Sequence, residues 1–283
     1  MKLCDLHTHT TASDGSDSPE ELVQLASKTG LAAIAITDHD TTAALKPGAA
    51  AAMDAGVEFI PGVELSCSFP KGNMHLLGYF IDQNSSELQS VIEKVQAARA
   101  ERNPRILKML GKMGLPVSME EINRISHGGQ VGRPHIARIM VEKGYVKSVS
   151  QAFDRYLRKG GPAYAPKSIL SPEDAIQTVR RAGGIPVLAH PFSLQAKDAE
   201  ELEGMVTALK DAGLMGIECY YSEHDKAFTA LCLDIASRYG LVATGGSDYH
   251  GKAKPYIRLG VGKGNLRIPY SCVEALKAAR NAL

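Results

Sequence analysis

The placement of histidine constrains this chain more than any other feature of its sequence. Six of its nine histidines stand in, or just past, short apolar runs that read as β-strands. His7 and His9 lie in DLHTH after a strand at 2–6, and His39 lies in TDHD after a strand at 32–37. His75 falls in MHLLGYF, a strand at 74–80, His190 ends IPVLAHP, and His250 ends GGSDYH. Three carboxylates recur in the same places: Asp14 in the first loop, Glu64 in PGVEL, and Asp248 two residues before His250. Residues two apart on a strand point to one side, so His7 and His9 can converge, as can Asp248 and His250 if the strand runs that far. A single strand histidine is usually a satisfied core residue. Nine imidazoles and carboxylates at successive strand ends instead predict a centre for two or three divalent ions. Such donors without thiolate suit manganese, zinc or iron(II).

Strand-like runs alternate with helical segments at 19–29, 41–55, 172–182, 199–212, 223–239 and 271–283. Further strands are expected at 57–60, 63–68, 185–189, 215–219 and 241–244. This alternation predicts an α/β fold with a mainly parallel sheet, closed as a TIM-like barrel. In such a barrel the C-terminal strand ends meet on one face, where active sites lie. No G-x-G-x-x-G follows the first strand and no G-x-x-x-x-G-K-[ST] occurs, which removes two common open-sheet readings. Residues 87–166 differ: a long helix over 86–113 and shorter helical patterns at 119–125, 134–143 and 150–159 carry no convincing strand. The expected organisation is a barrel from 1–86 and 167–283, with 87–166 an α-helical insertion over its mouth that contributes to substrate binding.

A formal charge of +1 provides no global field for gripping long duplex nucleic acid. The partner expected is therefore a small nucleotide or short oligoribonucleotide, and no obligate protein partner is inferred. The five cysteines include no C-x-x-C pair. With no apolar leader and no run of about 20 apolar residues for a membrane span, the expected location is the cytoplasm.

The segments DLHTHTTASDG, AITDHD, PGVELS, HLLGY, LAHP and GGSDYHG resemble, in that order, the motifs of the polymerase and histidinol phosphatase (PHP) family, related to the amidohydrolases. VGRPHIARIMVEKGYV further resembles a stand-alone bacterial subgroup, the YciV/TrpH-like branch. The resemblance implies a distorted (β/α)7 barrel with up to three divalent ions, often manganese. It implies that His7, His9, Glu64 and Asp248 hold one ion, and that Glu64 bridges to a second held by His75 and His190. Asp14, His39 and His250 would hold the third, although some relatives have histidine where this chain has Asp14. Asp5 is read as a partner orienting a ligand imidazole. The subgroup implies hydrolysis of the 3′-phosphate of nucleoside 3′,5′-bisphosphates, and exonuclease action on short RNA from its 5′ end.

The chemistry expected is in-line attack on phosphorus by hydroxide bridging the first two ions, with the third ion binding phosphate and no covalent intermediate. The proton donor to the leaving oxygen is left open between a bound water and a histidine. Arg133 and His135 in GRPHIA are candidate phosphate ligands, against a reading as a helix-start charge and a capping residue. Arg158 and Lys167 are candidates for a second phosphate, and Ser193 for a hydrogen bond to phosphate or a turn cap. His127 is expected in a surface loop, His224 at a helix start, and Tyr249 to point away from the ions. Competing readings are a histidinol-phosphate phosphatase, an amidohydrolase cleaving C–N bonds, and a metal- or nucleotide-binding regulatory module without catalysis.

Overall fold

A computed structural model describes residues 2–126, 128–166 and 170–283. Seven strands lie side by side in chain order: β1 (Cys4–Asp5), β2 (Ala33–Ile36), β3 (Glu58–Cys67), β4 (Met74–Tyr79), β5 (Ile185–Leu188), β6 (Gly216–Tyr221) and β7 (Val242–Gly246). The ring nearly closes where the first and last strands meet, through Leu6 N to Gly245 O at 3.1 Å and Asp248 N to His7 O at 2.9 Å. The fold is thus the expected distorted seven-stranded barrel. The helices are α1 (Pro19–Lys28), α2 (Leu45–Ala55), α3 (Ser86–Lys112), α4 (Met119–Ser126), α5 (Arg133–Glu142), α6 (Val149–Ala152), α7 (Pro172–Arg181), α8 (Ala199–Asp211), α9 (Lys226–Tyr239) and α10 (Ser271–Asn281). Among the described residues, no helix is long and apolar enough to cross a membrane.

Alternation along the strands sorts the core. Ile34, Ile36, Val63, Leu65, Leu76 and Ile217 belong to the cluster that faces the surrounding helices. Ala33, Ala35, Ile60, Leu77, Tyr79, Ile185 and Val187 form a second cluster, closed by Val273 and Leu276 of α10. Glu64 on β3, His75 on β4 and Glu218 on β6 share the parity of that second set, because strand side chains repeat every two residues. The barrel interior is therefore apolar at one end and carries imidazole and carboxylate at the other.

One expectation about the strands needs correction, while the sheet is mainly parallel as expected. The runs at 57–60 and 63–68 are one strand, β3, continuing through Pro61 and Gly62. β4 is antiparallel to both β3 and β5, whereas the other four pairings are parallel. The reversal matters for the site: His75 is the second residue of β4, and the inverted direction puts that end beside the C-terminal ends of its neighbours. Two helices also begin later than expected. α2 starts at Leu45, and α9 starts at Lys226 because the Asp225 side chain accepts from Phe228 N at 2.7 Å. Ser18 does cap α1, in a reciprocal box with Glu21.

The segment after β4 has its own hydrophobic cluster, with Ile106, Leu110, Ile122, Ile136, Met140 and Leu157 at its centre. α3 serves both bodies: Leu88 and Ile92 join the barrel core, while Ile106 and Leu110 join the helical one. The final expected helix of this segment, at 150–159, is instead the short α6 followed by a wide turn over Phe153–Leu157.

Candidate metal centre

Glu64 is the hub. Its Oε2 lies 3.2 Å from His7 Nε2, 3.2 Å from His9 Nε2 and 3.0 Å from His39 Nδ1. Its Oε1 lies 2.8 Å from His75 Nδ1 and 3.0 Å from His190 Nε2. Asp248 Oδ1 stands 3.6 Å and 3.2 Å from the Nε2 atoms of His7 and His9, and Asp14 Oδ1 is 3.2 Å from His250 Nε2. All nine residues singled out from the sequence thus meet. Their donor atoms form four overlapping groups: His9, Asp14, His39 and His250; His7, Glu64 and His190; His7, His9 and Asp248; and His39, Glu64 and His75.

Four imidazoles are tied from behind. His7 Nδ1 is 3.0 Å from Glu218 Oε1, and His9 Nδ1 is 3.5 Å from Ser13 Oγ. His190 Nδ1 is 2.8 Å from Ser193 Oγ, and His250 Nδ1 is 2.8 Å from the Asp248 carbonyl. Ser193 donates its own proton to Asn73 O at 2.7 Å, so it accepts from His190 and leaves that ring's Nε2 lone pair facing Glu64. Ligand imidazoles are held in this way in metal sites, where the bond behind the ring fixes its tautomer and direction. The front atoms have no such satisfaction. His7 Nε2, His9 Nε2, His39 Nδ1 and Glu64 Oε2 are buried and make no hydrogen bond among the described residues, although the three nitrogens stand 3.0–3.2 Å from that oxygen. Buried polar atoms left this way cost free energy unless something binds them. A divalent cation fits this donor set.

The electrostatics give the same answer. Burial works against charge on Glu64, yet His39, His75 and His7 hold its carboxyl well below the usual range. Asp248 is held low against burial by Lys254 and His250, and Asp14 by His250 and His39. Burial also opposes a proton on His9, but Asp248 and Glu64 raise that ring to about 9. Burial prevails at His75 and His250, pushed down to about 4. Three buried carboxylates call for positive charge here, and in the bare protein part of it is a proton.

The backbone is bent to bring these groups together. Asp40, His190 and Asp248 adopt positive φ of 51°, 27° and 58°, where residues other than glycine are strained. Each N–H is captured: Asp40 N by Glu64 O at 2.9 Å, His190 N by Glu218 Oε2 at 2.7 Å, and Asp248 N by His7 O at 2.9 Å. Strain of this kind persists only where surrounding bonds over-determine it.

A cleft of about 460 Å³ opens over the cluster between the barrel and the helical segment. Its walls include Arg99 and Arg102 of α3, Arg133 at the start of α5, and Lys159. Arg99 pairs with Asp40, and this is the one ion pair that any of the three arginines makes among the described residues. Arg102 is only 2% exposed; burial, with Arg99 and Arg133 beside it, pushes it down to about 9. The Arg133 guanidinium lies 5.6 Å from the ring centres of both Phe153 and Tyr164 and donates to Leu157 O at 2.8 Å. Three guanidiniums in one wall, only Arg99 of them ion-paired among the described residues, are a donor set suited to an anion.

The other expected substrate residues divide. Ser193 lines the cleft. His135 is buried outside it, accepting from Gly132 N at 3.1 Å and so capping its own helix. Arg158 is exposed beyond the cleft lining, and the neighbouring Lys159 reaches in instead, donating to Pro70 O at 2.7 Å. Lys167 and His127 lie outside the described residues. His224 precedes α9, buried, with Nδ1 bonded to Cys219 O at 3.0 Å. Tyr249 turns away from the cluster and donates to Asp17 at 2.7 Å.

Asp5 makes no hydrogen bond to an imidazole among the described residues. It accepts backbone N–H groups, from Ser247 and Gly260 at 2.8 Å and from His7 at 3.4 Å, and so sews the first strand to the last. The carboxylate behind His7 is Glu218, which the sequence reading passed over. Its signal was present: a glutamate in the middle of the apolar strand GIECYY at inward parity. Asp38, which accepts from Thr10 N at 2.8 Å and Ser13 Oγ at 2.5 Å and shapes the first loop, was passed over too. So were Arg99, Arg102, Lys159 and Lys254.

Comparisons with known proteins agree with the barrel fold. A family model described as the PHP domain matches residues 5–165. The chain is 35% identical to the 5′-3′ exoribonuclease Rnm of Escherichia coli, over 91% of this chain and 88% of that one. It is 33% identical to a 3′,5′-nucleoside bisphosphate phosphatase of Chromobacterium violaceum, over 88% of each. A crystal structure from Bifidobacterium adolescentis, assigned as a metal-dependent phosphoesterase, superposes with a TM-score of 0.88 at 29% identity, covering 99% of this chain and 96% of that one.

Proposed function

The chain belongs to the PHP domain family, and from that premise we propose that it is a metal-dependent phosphoesterase acting on nucleotides. Its substrates on this reading are nucleoside 3′,5′-bisphosphates, which lose the 3′-phosphate, and short 5′-phosphorylated RNA, shortened from the 5′ end. The observation that carries the reading is one cleft holding both the imidazole–carboxylate cluster and three arginines. A substrate with two phosphates can use both: one phosphoester over the cluster, one terminal phosphate in the arginine wall.

His7, His9, Glu64 and Asp248 would hold one ion, Glu64 with His75 and His190 a second, and Asp14 with His39 and His250 a third; manganese is the ion we expect. Divalent ions in such a centre supply ionised water near neutral pH and neutralise phosphoryl oxygens. In the hydrolysis a P–O bond forms from water, the P–O bond to the 3′ oxygen breaks, and that oxygen leaves with a proton. The protein's own groups do the rest. Glu218 and Ser193 fix two of the imidazoles, and Arg102 and Arg133 bind the terminal phosphate through the N–H donors that Asn103 Oδ1 and Leu157 O leave unused. Phe153 and Tyr164 hold the Arg133 plane, and Lys159 closes the wall against the loop at Pro70. The near-neutral total charge leaves recognition to this local pocket, which suits short substrates.

The test is phosphate release from adenosine 3′,5′-bisphosphate with Mn²⁺, with L-histidinol phosphate as the competitor. Release from the bisphosphate that EDTA abolishes is the expected result. Faster release from histidinol phosphate, or an intact bisphosphate with manganese bound, would overturn the proposal.

A further inference from the structure

Asp248 divides its carboxylate between two environments. Oδ1 faces the imidazoles of His7 and His9, while Oδ2 accepts from Lys254 Nζ at 2.7 Å and from Tyr221 OH at 3.0 Å. Both donors line the cleft. Lys254 arrives there by a sharp turn. The chain turns through the short helix Gly251–Ala253, held against the first loop by Lys252 N to Ser16 Oγ at 2.7 Å. Gly251 has φ of 61°, and a Cβ there would stand 2.1 Å from Ser16 Oγ, so only glycine lets this turn seat. Six residues after Asp248 the chain is therefore back beside it.

The two donors differ in what they have left to give. The Tyr221 hydroxyl spends its single proton on Asp248. The Lys254 ammonium carries three, and its one ion pair among the described residues, to Asp248, uses one. Its side chain is 34% exposed, so its remaining protons reach the cleft. It also comes from the barrel, whereas the arginines come from the helical segment.

We infer that Lys254 is a phosphoryl-binding residue: its ammonium donates to an oxygen of the phosphoryl group over the cluster while Tyr221 holds the far side of Asp248. The inference rests on the phosphoesterase reading for its substrate. It gives the reacting phosphate a cationic partner separate from the arginine wall that takes the second phosphate. Its contribution is a positive donor held in place at a group whose negative charge shifts during transfer.

The experiment compares wild type with Lys254→Met, Lys254→Arg and Tyr221→Phe, each loaded with Mn²⁺. Bound manganese is measured by metal analysis, inorganic phosphate binding by calorimetry, and turnover on adenosine 3′,5′-bisphosphate by phosphate release. Lys254→Met is expected to keep its manganese, to bind phosphate about tenfold more weakly, and to lose about 100-fold in kcat. Lys254→Arg should recover most of both, and Tyr221→Phe should keep phosphate affinity. Wild-type phosphate affinity in Lys254→Met overturns the inference. So does loss of manganese from that variant, which would make Lys254 a positioning residue for Asp248. If the wild type leaves the bisphosphate intact, the substrate reading fails, and the phosphate titration still decides the role of Lys254.

Discussion

Glu218 Oε1 lies 3.0 Å from Nδ1 of His7, and neither side chain has any exposed surface. Its other oxygen accepts from His190 N at 2.7 Å, so a single carboxylate orients one imidazole and locks the strained backbone of another. Replacing such a partner usually lowers metal affinity about 10- to 100-fold. Glu218→Ala should therefore bind Mn²⁺ more weakly by that factor in a calorimetric titration, with all nine front residues in place. Unchanged affinity would mean that the bond behind His7 is incidental.

Arg99 and Asp40 join the helical segment to the barrel. The guanidinium donates through Nε at 3.0 Å and through Nη2 to Asp40 Oδ2, and Nη2 also donates to Ser66 Oγ at 2.9 Å. Removing one member of a buried pair leaves the other charge short of compensation, at a cost of about 3–5 kcal/mol. Arg99→Met should lower unfolding stability in urea by about 3 kcal/mol. Since Asp40 adjoins His39, Mn²⁺ binding should weaken as well. A variant as stable as wild type would assign the pair to surface-like energetics.

The sequence made the imidazole–carboxylate cluster legible for a geometric reason. Strand ends in a barrel converge, so residues far apart in the chain, such as His9 and Asp248, can be grouped from their positions alone. Glu218 and Asp38 lie one layer behind, and their role depends on which ring nitrogen they meet, which no spacing records. Strand direction was equally hidden: MHLLGYF reads alike in either sense, and only its pairing with β3 and β5 turns His75 toward the cluster. The cleft wall was the least legible. Arg102 and Arg133 come from separate helices whose packing brings them together, and GRPHIA drew attention to His135, which caps its own helix.

Acid–base behaviour separates the metal-free and loaded protein. His9 is raised from 6.5 to about 9 by Asp248 and Glu64 against the opposing effect of burial, and Glu218 and Glu64 raise His7 in the same direction. A histidine raised on folding contributes stability that is complete below its unfolded value and is lost as pH rises through its folded value. The metal-free protein should therefore weaken from pH 6.5 toward about 9. A divalent ion must displace those protons, so its binding strengthens over the same interval. His75 and His250, down at about 4, are already neutral there. The Tm gained on replacing EDTA with Mn²⁺ should thus be larger at about pH 8.5 than at about pH 6.5. A gain that shrinks with rising pH would contradict this balance of charges.

Arg133 offers the sharpest test of how substrate is chosen. Its guanidinium is held by Phe153, Tyr164 and the Leu157 carbonyl, so its plane is fixed before anything binds. A rigid fork suits the two oxygens of a terminal phosphate, whereas the lysine ammonium meets them as a point charge. Arg133→Met should raise KM for adenosine 3′,5′-bisphosphate by about tenfold or more, the loss expected for a charged hydrogen bond. Arg133→Lys should recover only part of it. Adenosine 3′-monophosphate, which lacks the 5′-phosphate, should show nearly the same kcat/KM with wild type and both variants. An equal loss on both substrates would place Arg133 at the reacting phosphate or in the fold itself. Loss confined to the bisphosphate would assign the arginine wall to the second phosphate, and with it the preference for a 5′-phosphorylated end.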